Sequence, residues 1–447
     1  MTLAFPSDPV SPFVAALMSE LRREVPGMAG VDLSVDERDE MLGFLTSLHG
    51  GDRDRALFAY FQSGWSIARS MEQVLRWRFG SERPGRLLDF ASGYGRVTRF
   101  LLRDLPPERV WVSDLYADAV RFQEERFGVH GLVSTVRPED FACSERFDVI
   151  LVTSLFTHLR EDRFVAWLAA LCRLLAPGGL LAWSVHDESV LTPPLQMPAG
   201  GIRFEAVSES GSIEGSDYGS AWVTEAFVRR SLEKVASGAS VHRLERALCN
   251  YQDLYVAVLE PEVDFSGLAF RGEPQLFLEG AALPEPGVLE VWGWAALRGG
   301  SLREVQVVLD GEVLAAGPVA GPRPEVAAML GAGPDLRPGW RLACPLPPAL
   351  SRATGILMLR VVDDQGSPFP VWAGTAESLL LRSSRNEAGI LERELARARD
   401  HIARLEPEAV RAGDLDARIA AMRASRFWKM RDAWFRVKRS LGLTDEE

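Results

Sequence analysis

The chain has 447 residues, of which 50 are Lys or Arg and 62 are Asp or Glu, so its formal net charge is −12. This length predicts two to four structural units, and the acidic balance argues against a nucleic-acid-binding protein, which needs a basic surface to neutralise phosphates. The four cysteines are far apart and form no cluster with histidine, so we expect neither disulfides nor a metal site, and a cytoplasmic location.

The first segment, residues 1–84, has a helical pattern. In SIARSMEQVLRWRF the apolar residues recur at spacings of three and four. The first residues, MTLAFPSDPVSPF, lack the basic stretch and the apolar run of a secretory signal. We therefore expect an N-terminal helical region and no signal peptide.

Residues 85–260 alternate strand-like and helix-like segments. RLLDF, RVWVSD, FDVILVTS and GLLAWSVH have the apolar character of buried strands, and helical patterns such as GRVTRFLLRDL lie between them. This alternation predicts an α/β fold in which a mostly parallel sheet is covered on both faces. The later runs VHRLERAL and DLYVAVL, joined by CNYQ, predict an antiparallel hairpin at the sheet edge.

The stretch LLDFASGYGRVTRF combines a strand, which brings Asp89 to its carboxyl end, with two glycines. Gly93 and Gly95 allow the backbone to turn tightly and approach a ligand, although the same spacing also occurs in plain strand–helix turns. The third glycine of a dinucleotide-binding GxGxxG is missing, because Thr98 stands there. This absence argues against a pyrophosphate site and against a nicotinamide-dependent oxidoreductase.

The next predicted strand ends in a second carboxylate, Asp114. A carboxylate at this position accepts hydrogen bonds from the two hydroxyls of a ribose, and Asp89 would accept one from an ammonium group. Each aspartate alone has the alternative interpretation of a helix N-cap. Together they fit a ligand with an adenosyl group at one end and an amino acid at the other.

Four motifs in this order resemble those of the class I S-adenosylmethionine-dependent methyltransferases. LLDFASGYGR resembles their first motif, with Ala91 where the first glycine often stands, and VWVSD resembles the acidic end of their second strand; FDVILVTSLFTHL and LLAPGGLLAWSVH are similar to their fourth- and fifth-strand segments. The resemblance implies a Rossmann-like, seven-stranded, mostly parallel sheet, S-adenosylmethionine as methyl donor and S-adenosylhomocysteine as product. It also implies a set of cofactor-binding residues, namely Asp89, Ala91, Gly93, Gly95, Asp114, Leu115, Asp140 and Thr153. The alternative for Asp140 is a solvated loop acid.

Histidines that follow the fourth and fifth strands are candidates for the general base. A methyl group on a sulfonium is already electrophilic, so the enzyme has to align the acceptor and remove its proton. His158 is the first candidate and His186 the second, and for each a purely structural role is the alternative. Residues 187–221, rich in Gly, Ser and Pro, are expected to cover the acceptor site, with Tyr218 and Trp222 as candidate lining residues.

Residues 265–381 have another composition. GVLEVWGWAAL, LREVQVVLDGEVLAAG and GILMLRVVDDQGS are strand patterns separated by Gly and Pro, with a hairpin turn expected at Asp310-Gly311. They predict a small antiparallel β-sandwich as a separate accessory domain. Its tryptophans, Trp292, Trp294, Trp340 and Trp372, either belong to the core or form a sugar-stacking surface.

Residues 384–447 predict C-terminal helices. A short heptad pattern favours self-association into a homo-oligomer. It consists of Leu391, Leu395, Ala398, Ile402 and Leu405. From Arg418 to Arg439 there are eight basic residues and one acid, and the segment resembles tails of bacterial enzymes of surface-polysaccharide synthesis. This basic tail predicts contact with an anionic membrane surface or with a partner protein.

These features predict a methyltransferase that O-methylates a sugar or glycan precursor in cell-surface polysaccharide synthesis. Its acceptor would be a small molecule or a glycan, with no nucleic acid as partner. We expect a cytoplasmic protein that lies peripherally at the inner face of the membrane. The alternatives are a non-catalytic, donor-binding assembly protein of a glycan-synthesis complex and, less favoured, a nicotinamide-dependent oxidoreductase.

Overall fold

The computed structural model describes five continuous stretches of the chain and some single residues. The stretches are 11–80, 82–207, 217–333, 335–346 and 355–381, and the single residues are 213, 215 and scattered positions beyond 381. The chain divides into two compact units, Met1–Leu380 and Leu381–Glu447. The predicted heptad pattern and basic tail of residues 384–447 lie outside the described residues, apart from those scattered positions.

In the described part of the N-terminal region, three α-helices precede the sheet, as the helical pattern predicts. They are α1 (Pro12–Glu24), α2 (Glu40–Leu48) and α3 (Arg53–Phe79). Asp39 begins α2, because its side chain accepts hydrogen bonds from the backbone N–H groups of the first turn, and Asp52 begins α3 in the same way. Among the described residues, no helix is both long enough and apolar enough to cross a membrane.

The central sheet has nine strands. They are β1 (Leu87–Phe90), β2 (Val110–Asp114), β3 (His130–Val133), β4 (Phe147–Val152), β5 (Leu175–Asp187), β6 (Ile202–Glu205), β7 (Ser220–Val223), β8 (Ser240–Leu248) and β9 (Gln252–Val258). β3, β2, β1, β4 and β5 are neighbours in that order and all parallel, after which β9 pairs antiparallel with β5 and β8 pairs with β9. These seven strands form the predicted mostly parallel sheet with its antiparallel edge hairpin.

Helices cover both faces of this sheet. They are α4 (Thr98–Leu101), α5 (Ala117–Phe127), α6 (Glu161–Leu174) and α7 (Glu225–Val235). Side chains of β1 alternate between two apolar clusters: Leu88 joins α6 and α7, and Leu87 joins a larger cluster with the N-terminal helices. The strands are therefore apolar on both faces, which explains their continuous apolar runs in the sequence.

Two features of this region differ from the expectation. β6 and β7 form an antiparallel hairpin, and β7 extends the sheet at His186 and Asp187 of β5, so the sheet has nine strands instead of seven. Part of the segment expected to cover the acceptor site thus belongs to the sheet. In addition, the helix expected in GRVTRFLLRDL is only four residues long, because hydrogen bonds such as that from the Arg103 N–H to the Phe100 carbonyl (3.3 Å) tighten the following turns.

Residues 275–374 form two antiparallel sheets, as predicted for a β-sandwich. The strands are β10 (Gln275–Glu285), β11 (Val288–Ala296), β12 (Leu302–Leu309), β13 (Glu312–Pro318), β14 (Gly339–Pro345), β15 (Leu357–Asp363) and β16 (Pro368–Gly374), with one short helix, α8 (Pro324–Met329). Their orders are β10-β11-β14 and β13-β12-β15-β16. The turn between β12 and β13 is Asp310-Gly311, where both residues have positive φ. Trp340 and Trp372 are buried in the core, while Trp292 and Trp294 are half-buried.

Helix α3 contacts both the sheet and the sandwich. The ring of Trp65 stacks on Phe369 of β16 with centroids 4.8 Å apart, and the carboxylate of Glu273 accepts hydrogen bonds from Gln62 (3.0 Å) and Ser66 (2.7 Å). On the other side, Gly64 lies directly against the backbone of the β1–α4 loop. One apolar cluster therefore runs from the N-terminal helices into both the sheet and the sandwich.

Candidate active site

A cavity opens at the carboxyl ends of β1, β2 and β4. This edge is where open α/β sheets bind their ligands. Seven of the residues predicted for the site line the cavity, namely Asp89, Ala91, Gly93, Asp114, Leu115, Thr153 and His158. Gly95, Asp140 and His186 do not line it. The strand ends thus bring together residues that are as much as 69 positions apart in the sequence.

Asp89 lies on the wall of the cavity and is almost fully buried, with 1% of its surface exposed. Its Oδ2 accepts a hydrogen bond from the Thr98 hydroxyl (2.7 Å), whereas its Oδ1 has no hydrogen-bond partner among the described residues. Burial raises the pKa of this carboxyl to about 7. A buried acceptor without a partner is rare in proteins, and a ligand ammonium group would satisfy it.

Asp114 closes the neighbouring side of the cavity and holds the glycine loop. Its Oδ2 accepts a hydrogen bond from the Gly93 N–H (2.8 Å), and its Oδ1 accepts one from the Tyr116 N–H (3.0 Å). Burial raises the pKa of this carboxyl also. Because a carboxylate oxygen has two acceptor positions, both oxygens retain the capacity to accept from ribose hydroxyls.

The loop after β1 turns through three residues with positive φ, namely Ala91 (59°), Gly93 (56°) and Gly95 (76°). Ala91 adopts the left-handed conformation that glycine usually supplies at this point of the motif. Gly95 has a packing role, since a Cβ there would lie 2.4 Å from the ring of Phe127. The predicted glycine is therefore needed for the close approach of α5 and is not part of the cavity wall.

The adenine end of the predicted site differs from the expectation. Asp140 is exposed and lies in a short turn outside the cavity. Residues closer to the end of β3 line the wall instead, namely Ser134, Thr135 and Val136. The chain reaches the cavity directly after β3 and has left it again before Asp140, so an acid placed late in the connection does not line the wall.

His158 lies in the turn after β4 and faces the cavity. Its Nδ1 is 2.6 Å from the carbonyl oxygen of Gly219, and its ring stacks on Tyr218 with centroids 4.3 Å apart. Because a carbonyl oxygen only accepts, this contact assigns the proton to Nδ1, and the neutral ring then carries its lone pair on Nε2. Tyr218 also lines the cavity, as predicted.

His186, the second candidate base, is not brought to the cavity. It is paired in register with Trp222 across β5 and β7, and its ring meets the edge of Tyr251 with centroids 5.0 Å apart. Burial lowers its pKa to about 4, so the ring is neutral at physiological pH. Trp222, the partner of His186 in this register, does not line the cavity either.

Helix α2, which no motif of the sequence marks as part of the site, forms one wall of the cavity. Its contribution consists of Asp39, Glu40, Met41 and Phe44. The Tyr60 hydroxyl donates a hydrogen bond to Asp39 (2.6 Å), and the Tyr116 hydroxyl donates one to Glu40 (3.3 Å). The two residues in these contacts are 21 and 76 positions apart, respectively, so no local sequence pattern predicts the contacts.

A buried arginine holds this N-terminal segment against the glycine loop. Arg99 is 1% exposed and donates hydrogen bonds to the carbonyl oxygens of Asp32 (3.0 Å) and Ser34 (2.7 Å). It also donates to the carbonyl oxygens of Tyr94 (3.2 Å) and Gly95 (2.9 Å). The charged residue inside the apolar pattern VTRFLL is the one signal in the sequence that could have indicated a buried contact here.

The cavity is lined by acids. Its carboxylates are Asp39, Glu40, Asp89, Asp114 and Asp217. Among the described lining residues Arg96 is the one with a guanidinium or ammonium group, and it donates a hydrogen bond to Ser63 of α3 (2.8 Å). No group of three or more His, Cys, Asp or Glu side chains among the described residues could hold a metal ion. The electrostatic environment therefore favours cationic and neutral hydroxyl-bearing ligands over anions.

Residues 88–181, which contain much of this cavity, match a family described as "Methyltransferase domain". A curated relative is the malonyl-[acyl-carrier protein] O-methyltransferase of Chlorobium phaeovibrioides (strain DSM 265 / 1930). It is 25% identical over 179 residues, which are 37% of this chain and 65% of the relative. The chain thus spans just under two thirds of the relative's length.

Similar solved structures include the glycopeptide N-methyltransferase MtfA, at 21% identity and a TM-score of 0.34, with 44% of this chain and 90% of that one covered. Another is CalS10, an amino pentose methyltransferase from Micromonospora echinaspora, at 19% identity and a TM-score of 0.31, with coverages of 44% and 91%. At these TM-scores the likeness carries no argument about function. The family match identifies a methyltransferase domain within this chain, and the curated relative is itself an O-methyltransferase.

Proposed function

We propose that the whole chain is a methyltransferase that transfers a methyl group from S-adenosylmethionine to a hydroxyl of a sugar or glycan precursor. The observation that carries this proposal is the buried, unpartnered Oδ1 of Asp89 beside Asp114 in a cavity of the methyltransferase domain. A ligand with an ammonium group and a ribose satisfies both carboxylates at once. These residues therefore fit the donor.

Five of the lining residues have a role in this proposal. Asp89 holds the donor's ammonium group, and Asp114 holds the ribose hydroxyls while it keeps the glycine loop closed. Leu115 and Val136 provide apolar surface for the adenine. When bound, the donor supplies an electrophilic methyl group on its sulfonium. His158 accepts the proton of the acceptor hydroxyl at Nε2, and its contact with the Gly219 carbonyl selects the neutral tautomer in which Nε2 carries the lone pair.

The acidic lining supports a hydroxyl acceptor over an anionic one. Glu40 and Asp217 line the cavity at its two separate walls, and carboxylates accept hydrogen bonds from sugar hydroxyls. A carboxylate acceptor, such as the malonyl group named for the curated relative, would be repelled by these acids. The assignment to surface-polysaccharide synthesis rests on the sequence resemblance of the C-terminal segments.

Two binding and transfer measurements test this proposal. Calorimetry should detect binding of S-adenosylmethionine and of S-adenosylhomocysteine, and no comparable binding of a nicotinamide dinucleotide. Incubation with methyl-labelled donor and glycan and lipid extracts of the host should then label a neutral, hydroxyl-bearing product. Tight dinucleotide binding without donor binding would refute the proposal. Donor binding without transfer to any extract would favour the non-catalytic assembly protein instead.

We also propose that residues 384–447 bring the enzyme to the inner face of the membrane or to a partner, and that their heptad pattern supports a homo-oligomer. The eight basic residues between Arg418 and Arg439 suit an anionic surface. A cytoplasmic enzyme held there would meet membrane-linked glycan precursors. This part of the proposal rests on the sequence.

A further inference from the structure

The turn after β4 carries backbone strain next to the proposed reaction site. Ser154 lines the cavity and has a φ of 64°, in the left-handed region that favours glycine. This conformation is unfavourable for a residue with a Cβ. Such a conformation persists only where surrounding contacts hold it. The contacts that hold Ser154 come from residues that do not line the cavity.

A closed ring of hydrogen bonds fixes the turn. The Ser154 N–H donates to the Ser184 hydroxyl oxygen (2.8 Å), and that hydroxyl donates to Oε1 of Gln252 (2.7 Å). The Gln252 Nε2 donates in turn to the Ser154 hydroxyl oxygen (3.1 Å). The side-chain amide of Gln252 therefore contacts both serine hydroxyls.

The topology explains why Gln252 reaches the turn. β9 runs antiparallel to β5, so its first residue lies at the edge where the parallel strands end. Ser184 is fully buried on β5, beside the end of β4. From the Ser154 turn the chain continues into His158, whose N–H donates to the Leu155 carbonyl (3.0 Å). The ring of hydrogen bonds therefore fixes the turn from which the chain continues into His158.

We infer that Gln252 and Ser184 are positioning residues, which act through the left-handed conformation of Ser154 to place His158 for proton removal. The kinetic part of this inference rests on the proposed function, whereas the conformational part does not. Gln252 lies outside the four motifs that resemble those of other methyltransferases, and Ser184 lies within the last of them, LLAPGGLLAWSVH.

The test compares variants that remove hydrogen bonds of the ring, first in the natural protein and then in a Ser154→Gly variant. Gln252→Leu keeps much of the side-chain volume but removes both hydrogen bonds, and Ser184→Ala removes the acceptor of the Ser154 N–H. Each should slow methyl transfer into the labelled extract by between about tenfold and 100-fold, since small displacements of reacting groups have effects of this size. Calorimetric affinity for S-adenosylhomocysteine should change less than about threefold, because the donor residues remain in place.

Glycine at position 154 separates this role from a general loss of stability. Because glycine adopts a φ of 64° without cost, Gln252→Leu should slow transfer far less in a Ser154→Gly background than in the natural one. Ser70→Ala is the matched control for Ser184→Ala: it removes another buried hydroxyl, which donates to the Ala247 carbonyl (3.0 Å) away from the cavity, and should leave the transfer rate unchanged.

Two kinetic results would overturn the inference. One is an unchanged transfer rate in both Gln252→Leu and Ser184→Ala. The other is a loss of rate that is equally large in the Ser154→Gly background, since Gln252 would then act by another route. A shift in the pH profile of transfer, which follows His158, should accompany the loss.

A spectroscopic measurement decides the conformational part even if no extract is methylated. In protein labelled with ¹³C at histidine, the resonance of His158, identified by its absence in His158→Gln, should shift in Gln252→Leu. It should return toward its original position when Ser154→Gly is added. An unmoved His158 resonance would refute the positioning role, whereas failure of donor binding or transfer in the natural protein would refute the proposed function alone.

Discussion

At the scale of single residues, Asp114 does two things at once. It accepts the N–H groups of Gly93 and Tyr116, and in the proposed complex it also accepts the ribose hydroxyls. Asp114→Ala should therefore weaken binding of S-adenosylhomocysteine by at least about tenfold, because hydrogen bonds to a charged group contribute about 1.5–3 kcal/mol. Calorimetry measures this change. Asp140→Ala is the control variant, because Asp140 is exposed and lies outside the cavity. The affinity of this variant for S-adenosylhomocysteine should equal that of the natural protein.

An unchanged affinity in Asp114→Ala would remove its ribose role. A loss in Asp140→Ala equal to that in Asp114→Ala would mean that the connection after β3 lies against the ligand. In that case the adenine would be bound as the sequence resemblance implies.

The raised pKa of Asp89 predicts how donor binding depends on pH. Burial lifts this pKa to about 7, and the ionised form is the one that attracts an ammonium group. Donor affinity should therefore fall by up to about tenfold for each pH unit below 7. Calorimetry with S-adenosylhomocysteine at about pH 6, 7 and 8 measures the fall. Asp89→Asn should bind weakly with little pH dependence, and a natural protein with pH-independent affinity would contradict the prediction.

The raised pKa of Asp89 has the opposite effect on the pH dependence of folding stability. The folded-state pKa lies above the unfolded value of about 3.9, so the folded protein binds more protons between those two values. The contribution of Asp89 is thus fully present below about pH 4 and is lost as the pH rises through about 7. As the pH rises through about 7, ionisation of Asp89 should therefore strengthen donor binding and lower the stability of the unliganded protein.

At the scale of elements, α3 is packed against the donor loop without room for a side chain at Gly64. A Cβ there would lie 2.2 Å from the carbonyl oxygen of Arg96, and backbone atoms cannot give way as a flexible side chain does. Gly64→Ala should lower the free energy of unfolding by about 1–3 kcal/mol and weaken donor binding as well. Thermal unfolding and calorimetry with S-adenosylhomocysteine measure the two effects.

Gly43 in α2 is the matched control, because nothing lies within 4 Å of a Cβ built there. Gly43→Ala should be neutral or should stabilise the protein by up to about 1 kcal/mol, as expected for an exposed helix position. If the two alanine variants behaved alike, the close packing of α3 on the loop would not matter for the donor site.

Some of these elements could be predicted from the sequence and others could not. The placement of Asp89 and Asp114 beside one cavity could be predicted because strand ends in a parallel sheet meet at one edge, and the turn at Asp310-Gly311 could be predicted because a tight hairpin demands positive φ. The wall formed by Glu40 and its neighbours was not, because it depends on contacts between distant segments that no periodicity records. The hairpin of β6 and β7 was missed since its short strands lie in a polar, glycine-rich segment.

At the scale of the whole molecule, the sandwich and the N-terminal helices share one apolar cluster with the methyltransferase domain. The predicted sandwich is thus present, but its core continues into α1 and α3 instead of ending at the domain boundary. Sequence composition marks where a new pattern begins and does not reveal which surfaces later pack together. The catalytic part of the chain should therefore depend on both flanking regions for its stability.

In contrast to the sandwich and the N-terminal helices, the C-terminal residues should not be needed for donor binding. A chain ending at Ser383 lacks the predicted heptads and basic tail but keeps the whole first unit, so donor affinity measured by calorimetry should stay within about twofold. Sedimentation with anionic vesicles should fall to the level seen with neutral vesicles, because the basic residues supply the attraction. Continued binding of the truncated chain to anionic vesicles would assign membrane contact to another surface.

The hydrogen-bond ring at Ser154 has a consequence for synthesis on the ribosome. Its partners Ser154 and Gln252 are 98 residues apart, so the turn that directs His158 is completed long after β1, β2 and β4 have been made. At elongation rates of about 5–20 residues per second this delay is roughly 5–20 s. During that interval a nascent chain has made its donor-side aspartates but lacks the strand that holds the histidine turn. Methyl transfer would thus become possible only after the hairpin of β8 and β9 has been synthesised.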